Sequence, residues 1–520
     1  MIVTTRRPEA EEGIARLAAA VLRGRRLVMA SNRGPVEYRR DEDGRPRAHR
    51  GSGGLVTALS SLARHVRLSW VASAISDGDR AVALSPRREL PAADEQARGV
   101  RLRFVVHPPE QYELYYNVFA NPFLWFLQHN LHDLLPGGDF GPALARAWRD
   151  GYRPVNRAFA EAVLDELARD DVAPVVMLHD YQLYLAAGFI RERAPATLLH
   201  QFIHIPWPEP ASWRALPDFF LRAICRGLLA NDVVGLQTRR DVANFLATCA
   251  GALPEASVDA TGAEVRYAGR TTHVRAYPVS VDVAALRELR DSPRVLGYER
   301  RLRSLCGEQT IVRVDRLDPS KNVHTGFLAF RRLLERRPDL RGRLKFLAFL
   351  VPTRTGVAGY RRYAQSVFDL IAGINQTYGH DGWRPIEVFY EDNAEQAIAG
   401  MRLYDVLMVN SALDGMNLVS KEGPIVNARD GVLVLSRGAG SYEELASGAL
   451  GVAPCDVEGT AAALAAALAM PPHERRLRAL GLRLAIESHD VTAWLRDQLA
   501  DLHAVASLAA GRRSPLSPAA

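Results

Sequence analysis

Short apolar runs alternate with helical patterns along almost the whole chain, and no other feature narrows the possible folds as much. In the first half the runs are Leu27-Val28-Met29-Ala30, Leu68-Ser69-Trp70-Val71-Ala72, Val175-Val176-Met177-Leu178, Leu199-His200-Gln201-Phe202-Ile203 and Asp232-Val233-Val234-Gly235-Leu236, with 274–281 closing the set. In the second half they fall at 310–314, 344–350, 386–390, 406–409 and 432–435. Continuous apolar runs suit strands buried on both faces, and their alternation with helices gives parallel sheets covered on both sides. A chain of 520 residues is too long for one core. The expected class is α/β, with two parallel-sheet domains facing each other across a cleft. The expected divisions are an N-terminal helical extension over 1–25, a first domain over 26–285 and a second over 286–485. A C-terminal helix over 486–508, free to cross back to the first domain, and a disordered tail over 509–520 complete the chain.

Asp414-Gly415-Met416-Asn417-Leu418-Val419-Ser420-Lys421-Glu422 follows the run Val406-Leu407-Met408-Val409 and opens the next helical pattern. It is a strand-to-helix turn at the carboxyl edge of a parallel sheet, where open α/β sheets bind ligands. Gly415 permits close backbone approach, and amides at a helix start suit phosphate. Asp414 and Glu422 carry acceptor-only carboxylates, which suit sugar hydroxyls. Phosphate between two hydroxyl-binding groups describes a nucleotide sugar. An ordinary turn with a capping Asp and a surface Glu fits this stretch alone equally well.

Other stretches shift that balance. Arg316-Leu317-Asp318-Pro319-Ser320-Lys321 places two cations five residues apart in a turn after a strand. Arg binds phosphate bidentately and Lys adds a point charge, the neutralisation a pyrophosphate leaving group needs without a metal. Gly51-Ser52-Gly53-Gly54-Leu55 is a glycine cluster opening a helix after a strand, a weaker phosphate-side signal. Two successive strands end in His179-Asp180-Tyr181 and His204-Ile205-Pro206-Trp207-Pro208, which suggests one site shared by both. The aromatic segment from Tyr115-Tyr116-Asn117 to Trp125 reads mainly as core, with one or two rings left for the face of a sugar.

Composition excludes several classes. The net charge is +7, from 66 Lys and Arg against 59 Asp and Glu, with no dense basic block, so nucleic acid is not an expected partner. The four cysteines, Cys225, Cys249, Cys306 and Cys455, lie far apart without a Cys-x-x-Cys pair. They read as buried free thiols in a reducing cytoplasm, not as a zinc site or disulfide framework. No apolar leader and no run of about 18 apolar residues occurs, so neither export nor a membrane partner is expected.

With these motifs in hand, the chain resembles the trehalose-6-phosphate synthase family, glycosyltransferase family 20, over roughly residues 26–505. The resemblance rests on Ser31-Asn32-Arg33, Gly53-Gly54-Leu55, Tyr115-Tyr116-Asn117, His179-Asp180-Tyr181, His204-Ile205-Pro206, 316–321, Pro352-Thr353-Arg354 and 414–422. It implies the GT-B architecture, with two Rossmann-like domains. It implies a retaining glucosyltransferase making α,α-trehalose 6-phosphate from a nucleoside-diphosphate glucose (UDP-, GDP- or ADP-glucose) and glucose 6-phosphate, with no cofactor and no metal. On the donor side the resemblance assigns Gly54, Arg316, Lys321 and the Met416, Asn417 and Leu418 amides to phosphate. It gives Asp414 and His204 to glucose hydroxyls, and Glu422 to the ribose. On the acceptor side it assigns Arg33, Trp70, Tyr116, Trp125, Tyr181 and Arg354 to the glucose 6-phosphate pocket, with Asp180 beside the acceptor sugar. Arg316, Lys321, Asp180, His204 and Asp414 are the expected catalytic set. Arg33 and Arg354, one from each half-chain, are expected to clamp one phosphate dianion from opposite sides.

Three departures from the family pattern occur. Pro319-Ser320-Lys321-Asn322 replaces the common Tyr-Ser-Lys-Gly, Trp207 replaces the usual Phe, and a longer charged insertion follows Arg33. Alternative readings are transfer to another phosphorylated acceptor such as glycerol 3-phosphate, cyclitol coupling through nitrogen, and a non-catalytic sugar-phosphate-binding homologue. Homo-oligomerisation is open.

Overall fold

The computed structural model describes residues 16–17, 19–20, 22, 26–41, 43–50, 67–85, 100–135, 141–169, 175–380 and 382–511. The chain forms two compact units. The first comprises Met1–Gln128, Leu135–Tyr277 and Thr492–Ala520; the second comprises His129–Leu134 and Pro278–Val491.

In the first unit the apolar runs become β1 (Leu27–Ala30), β4 (Leu68–Ser73), β5 (Val100–Val105), β6 (Val175–His179), β7 (Leu198–Phe202) and β8 (Val233–Leu236). β2 (Val36–Arg40) and β3 (Pro46–Arg50) pair as an antiparallel hairpin in the charged insertion after Arg33. β9 (Ser257–Asp259), β10 (Glu264–Tyr267) and β11 (Arg270–Ala276) complete a nine-stranded sheet ordered β5-β4-β1-β6-β7-β8-β11-β10-β9. Pairing is parallel from β5 to β11 and antiparallel through β10 and β9. Every residue of β1 and β4 is buried, and helix α1 (Arg153–Leu167) packs on both.

In the second unit β12 (Gln309–Arg316), β13 (Leu344–Val351), β14 (Ile386–Tyr390), β15 (Val406–Val409), β16 (Val432–Ser436) and β17 (Leu450–Val452) form one sheet ordered β14-β13-β12-β15-β16-β17. All its pairings are parallel. The period-2 alternation of strands splits the core into two layers. Ile311, Phe346, Met408 and Val434 pack with Phe327 and Phe330 of α2 (Val323–Arg336). Val312, Leu347, Leu407 and Leu435 pack on the other face with Ile425 of α3 (Val419–Val426).

These strand orders decide where chemistry sits. β1 has β4 on one side and β6 on the other; β12 likewise lies between β13 and β15. Each is the point where the winding of the sheet reverses, and ligands of open α/β sheets bind beyond the strand carboxyl ends there. Ser31-Asn32-Arg33 follows β1, and Asp180 follows His179, the last residue of β6. The 317–321 and 410–422 turns follow β12 and β15.

Several boundaries differ from the sequence reading. The main division falls after Tyr277 and not after residue 285, because β11 ends at Ala276 and Pro278 cannot continue its ladder. The final helix α4 (Val491–Gly511) begins after a break at His489-Asp490, so residues 486–488 end the preceding helix instead. From Thr492 the chain groups with the first unit, where Trp494 packs on Phe202 at 5.3 Å and Asp501 accepts a hydrogen bond from Tyr277 Oη at 2.6 Å. Of the expected N-terminal helix, the described Arg16, Leu17, Ala19, Ala20 and Leu22 are helical. Gly54 and residues 512–520 lie outside the described residues. Cys455 is exposed rather than buried. Among the described residues no helix is long and apolar enough to cross a membrane.

Candidate active site

At the first switch point the turn after β1 is braced from behind. Trp70 Nε1 donates to Ser31 Oγ at 2.8 Å, and that hydroxyl donates to the Arg33 carbonyl at 2.6 Å. Trp70 is 1% exposed, so its ring supports the Arg33 turn from within the core and offers no open face. Arg33 itself is exposed and lies beside the Tyr116 hydroxyl. Tyr116 stacks on Tyr112 at 5.5 Å and 11°. Tyr116 belongs to a widened, π-helical stretch, Leu114–Leu124, an arrangement frequent at functional sites. Trp125 and Tyr181 are neighbours at 5.8 Å, and the buried Tyr181 hydroxyl donates to Asn121 Oδ1 at 2.6 Å.

Asp180, just past β6, has φ +72° and ψ 176°, a region that is essentially reserved for glycine. Its amide donates to the Phe202 carbonyl at 2.7 Å and its Oδ1 accepts from the His204 amide at 3.1 Å, so two strand ends fix it. His204 Nε2 lies 3.3 Å from His179 Nδ1. Burial holds both imidazoles neutral, His204 down to about 3. His204 can therefore exchange hydrogen bonds but brings no charge. Trp207, one of the departures from the family pattern, is fully buried, and its Nε1 donates to Thr248 Oγ1 at 3.1 Å.

At the second switch point Arg316 is the exposed last residue of β12. The turn after it folds around Asp318, which is completely buried. Asp318 Oδ1 accepts from the Ser320 amide at 3.0 Å; Oδ2 accepts from Arg354 Nη1 and Tyr360 Oη, each at 3.2 Å. Burial alone would raise this carboxyl, but Arg354, Arg316 and the Ser320 amide outweigh it and hold Asp318 at about 2. The Arg354 guanidinium thus meets a carboxylate and a phenol of its own unit. Asn322 has φ +55° and ψ +39°, which explains Asn in place of the family's Gly. The position demands a left-handed backbone, and Asn is the residue that tolerates it best after Gly. Its side chain donates to the Asn410 and Pro454 carbonyls at 3.1 and 2.6 Å.

Lys321 and Asp414 form an ion pair, with neither side chain more than 13% exposed. Asp414 also accepts from Ser411 Oγ at 3.2 Å and Asn417 Nδ2 at 3.3 Å. Burial pushes its carboxyl up, but Lys321 outweighs this and the net shift is downward. The 436–441 turn laces onto this loop: Asp414 N donates to Gly438 O, Gly440 N to Asp414 O and Ser441 N to Met416 O, each at 3.0 Å. Asn417, at φ +70°, turns the chain so that Met416, Asn417 and Leu418 stand at the amino end of α3. One turn on, Glu422 is partly exposed, and burial of its carboxyl pushes it up to about 7. Beside it Lys421 is buried, held by Glu444 at 2.6 Å and the Val279 carbonyl at 3.0 Å. Among the described residues no group of three or more His, Cys, Asp or Glu could hold a metal ion.

The structure therefore brings Arg316, Lys321, Asp414, 416–418 and Glu422 to one edge of one sheet, and Arg33, Tyr116, Trp125, Asp180, Tyr181 and His204 to the other unit. Asn322, Asp318 and Lys421 acquire defined places that the sequence reading did not assign.

This geometry has counterparts. A family model, glycosyltransferase family 20, matches residues 25–504. The chain is 31% identical over 503 residues to validamine 7-phosphate valienyltransferase of Streptomyces hygroscopicus subsp. jinggangensis, covering 95% of this chain and 98% of that one. It is 33% identical over 486 residues to trehalose-6-phosphate synthase of Sinorhizobium fredii, covering 92% and 98%. Among solved structures, α,α-trehalose-phosphate synthase (UDP-forming) of Burkholderia xenovorans in complex with glucose-6-phosphate superposes with a TM-score of 0.77. Identity there is 28%, covering 92% of this chain and 99% of that one. The match runs through both sheets and both switch points, and the chain belongs to glycosyltransferase family 20, the trehalose-6-phosphate synthase family of GT-B enzymes.

Proposed function

We propose that this protein transfers glucose from a nucleoside-diphosphate glucose to glucose 6-phosphate, giving α,α-trehalose 6-phosphate with retention at the transferred anomeric carbon. The observation that carries the reading is the cluster at the second switch point, where Arg316, the Lys321–Asp414 pair and the amino end of α3 share one sheet edge. Before donor binds, Lys321 and Asp414 neutralise each other and stay oriented. With donor present, Lys321 and Arg316 serve the pyrophosphate and Asp414 accepts from glucose hydroxyls. The anomeric C–O bond to the β-phosphate breaks, and a C–O bond to the acceptor's anomeric hydroxyl forms on the same face. The hydroxyl proton passes to the leaving phosphate oxygen. The two cations and the helix-start amides stabilise the charge that develops there. Arg33, beside Tyr116, serves the acceptor phosphate. The S. fredii and B. xenovorans relatives support the product and the acceptor.

A second reading is supported by the Streptomyces relative, whose name describes transfer of a valienyl group to validamine 7-phosphate. One experiment separates them. The purified protein is incubated with UDP-, GDP- or ADP-glucose or a nucleotide-activated cyclitol, and with glucose 6-phosphate, glucose or validamine 7-phosphate. Product mass and anomeric configuration are read by mass spectrometry and NMR. The expected result is α,α-trehalose 6-phosphate from a glucose donor and glucose 6-phosphate, with free glucose far slower. Turnover confined to the cyclitol pair overturns the proposal in favour of the second reading.

A further inference from the structure

Behind the turn that carries Arg316 and Lys321 lies a second, hidden charge. Arg313 and Asp315 are two residues apart on β12, so both point to the same face, the one covered by α2. Apolar side chains, Ile311, Phe346, Phe327 and Phe330, pack on that face. Yet Arg313 is completely buried, with 0% exposure. Its Nε donates to Asp315 Oδ2 at 2.9 Å, and its Nη2 donates to the backbone carbonyl of Lys321 at 2.6 Å. Its Nη1 occupies the space where a Cβ on residue 326 would stand, beside Asn410 Oδ1. Gly326 of α2 is the residue that lets the guanidinium in. Desolvating an ion pair costs several kcal/mol, and apolar side chains of similar volume often serve stability as well or better. The pair is thus poorly explained as a stability device, and beyond Asp315 the guanidinium donates to Lys321.

We infer that Arg313 is a positioning residue for Lys321: its guanidinium, admitted by Gly326, anchors the Lys321 carbonyl so that the ammonium is held for the donor phosphates. The inference rests on the reading of Lys321 as a donor-phosphate ligand. It predicts that loss of the anchor lowers donor affinity through Lys321 and leaves the acceptor untouched. Arg313 touches no substrate itself. Asn322, next in the chain after Lys321, secures the other side of the same turn through its bonds to Asn410 and Pro454, so the two anchors act on consecutive residues.

The test uses the full chain and four variants: Arg313→Met, Gly326→Ala, Lys321→Ala and the double variant Arg313→Met/Lys321→Ala. Gly326→Ala displaces the guanidinium without leaving Asp315 alone, so it serves if Arg313→Met does not fold. Binding of uridine and guanosine diphosphates and of glucose 6-phosphate is measured by calorimetry, with a melting curve for each variant. One charge-assisted hydrogen bond corresponds to about 10- to 100-fold in affinity, and that is the loss expected for diphosphate in Arg313→Met and Gly326→Ala. Glucose 6-phosphate affinity is expected to stay within about twofold of wild type, well below the loss one such bond represents. The double variant is expected to bind diphosphate no more weakly than Lys321→Ala. Diphosphate affinity unchanged in both Arg313→Met and Gly326→Ala overturns the inference, as does an Arg313→Met loss of equal size with and without Lys321. If Lys321→Ala itself binds diphosphate like wild type, the donor assignment of Lys321 is what fails, and the inference falls with it.

Discussion

Replacing Asp318 by Asn exchanges one oxygen of a fully buried side chain for an amide nitrogen, and the structure sets the size of the consequence. The carboxylate accepts from the Ser320 amide, Arg354 and Tyr360, and is held at about 2 against an ordinary 3.8. At about 1.4 kcal/mol per pKa unit, its ionisation contributes about 2 kcal/mol of stability at neutral pH. The substitution would also leave the Arg354 guanidinium facing a neutral amide. A charged hydrogen bond of that kind is worth about 1.5–3 kcal/mol, which overlaps with the first figure. The combined loss expected is about 2–4 kcal/mol, or roughly 5–15 °C in Tm for a unit of this size. Because the folded-state value is depressed, the contribution is fully present above pH 4. It disappears as pH falls from about 4 to about 2. Urea unfolding of wild type and Asp318→Asn, followed by circular dichroism at pH 7, 5, 4, 3 and 2.5, should give a stability gap that is constant down to pH 5 and closes below pH 4. A gap that is the same at pH 3 and pH 7, or no gap at all, refutes the argument.

Three further outcomes are expected. Arg316→Ala and Lys321→Ala should each lower kcat by a factor equivalent to roughly 2–4 kcal/mol of transition-state stabilisation; near-wild-type turnover in either, or activity abolished by EDTA and restored by a divalent ion, contradicts the donor assignment. If Glu422, pushed up to about 7, serves the ribose as the family resemblance implies, it can accept from two hydroxyls at both oxygens only as the carboxylate, so donor KM should fall as pH rises through 7 and Glu422→Gln should show a high, pH-independent donor KM. Asn322→Gly should be close to wild type in backbone conformation, whereas Asn322→Ala should lose about 1–2 kcal/mol from the left-handed backbone alone, measurable as a lower unfolding midpoint.

How much of this could be read from the sequence follows from the range of the interactions involved. Apolar runs and the turns after them are local patterns, so the strands and the stretches that carry Arg316, Lys321, Asp414 and Glu422 were legible. The hydrogen-bond ladders then bring β12 and β15 side by side, although Lys321 and Asp414 are 93 residues apart in the chain. Partner choice among charged side chains is not local. Nothing in Pro352-Thr353-Arg354 says that Asp318, 36 residues earlier, takes up its guanidinium. The same holds for the depth of an aromatic ring. The family resemblance gives Trp70 to the acceptor pocket, but coverage of both sheet faces buries its ring. Asn322 had a signal that could have been used: Asn in place of Gly preserves a left-handed position, which points to an unchanged turn. Arg313 also carried one, a charge in the middle of an apolar strand.

The backbone of Asp180 sets a pressure on heat resistance that opposes the catalytic role which the family resemblance implies for its carboxylate. A non-glycine residue at φ +72° and ψ 176° is less stable by about 1–3 kcal/mol than a glycine in the same conformation. A laboratory selection for survival at high temperature alone would favour Asp180→Gly, a change that also removes the carboxylate facing the His204 amide. Directed evolution toward a hardier catalyst should therefore accumulate its gains elsewhere and leave this residue fixed wherever turnover is screened alongside thermal tolerance. A library sorted by heat and by activity in parallel would show the divergence at this codon first.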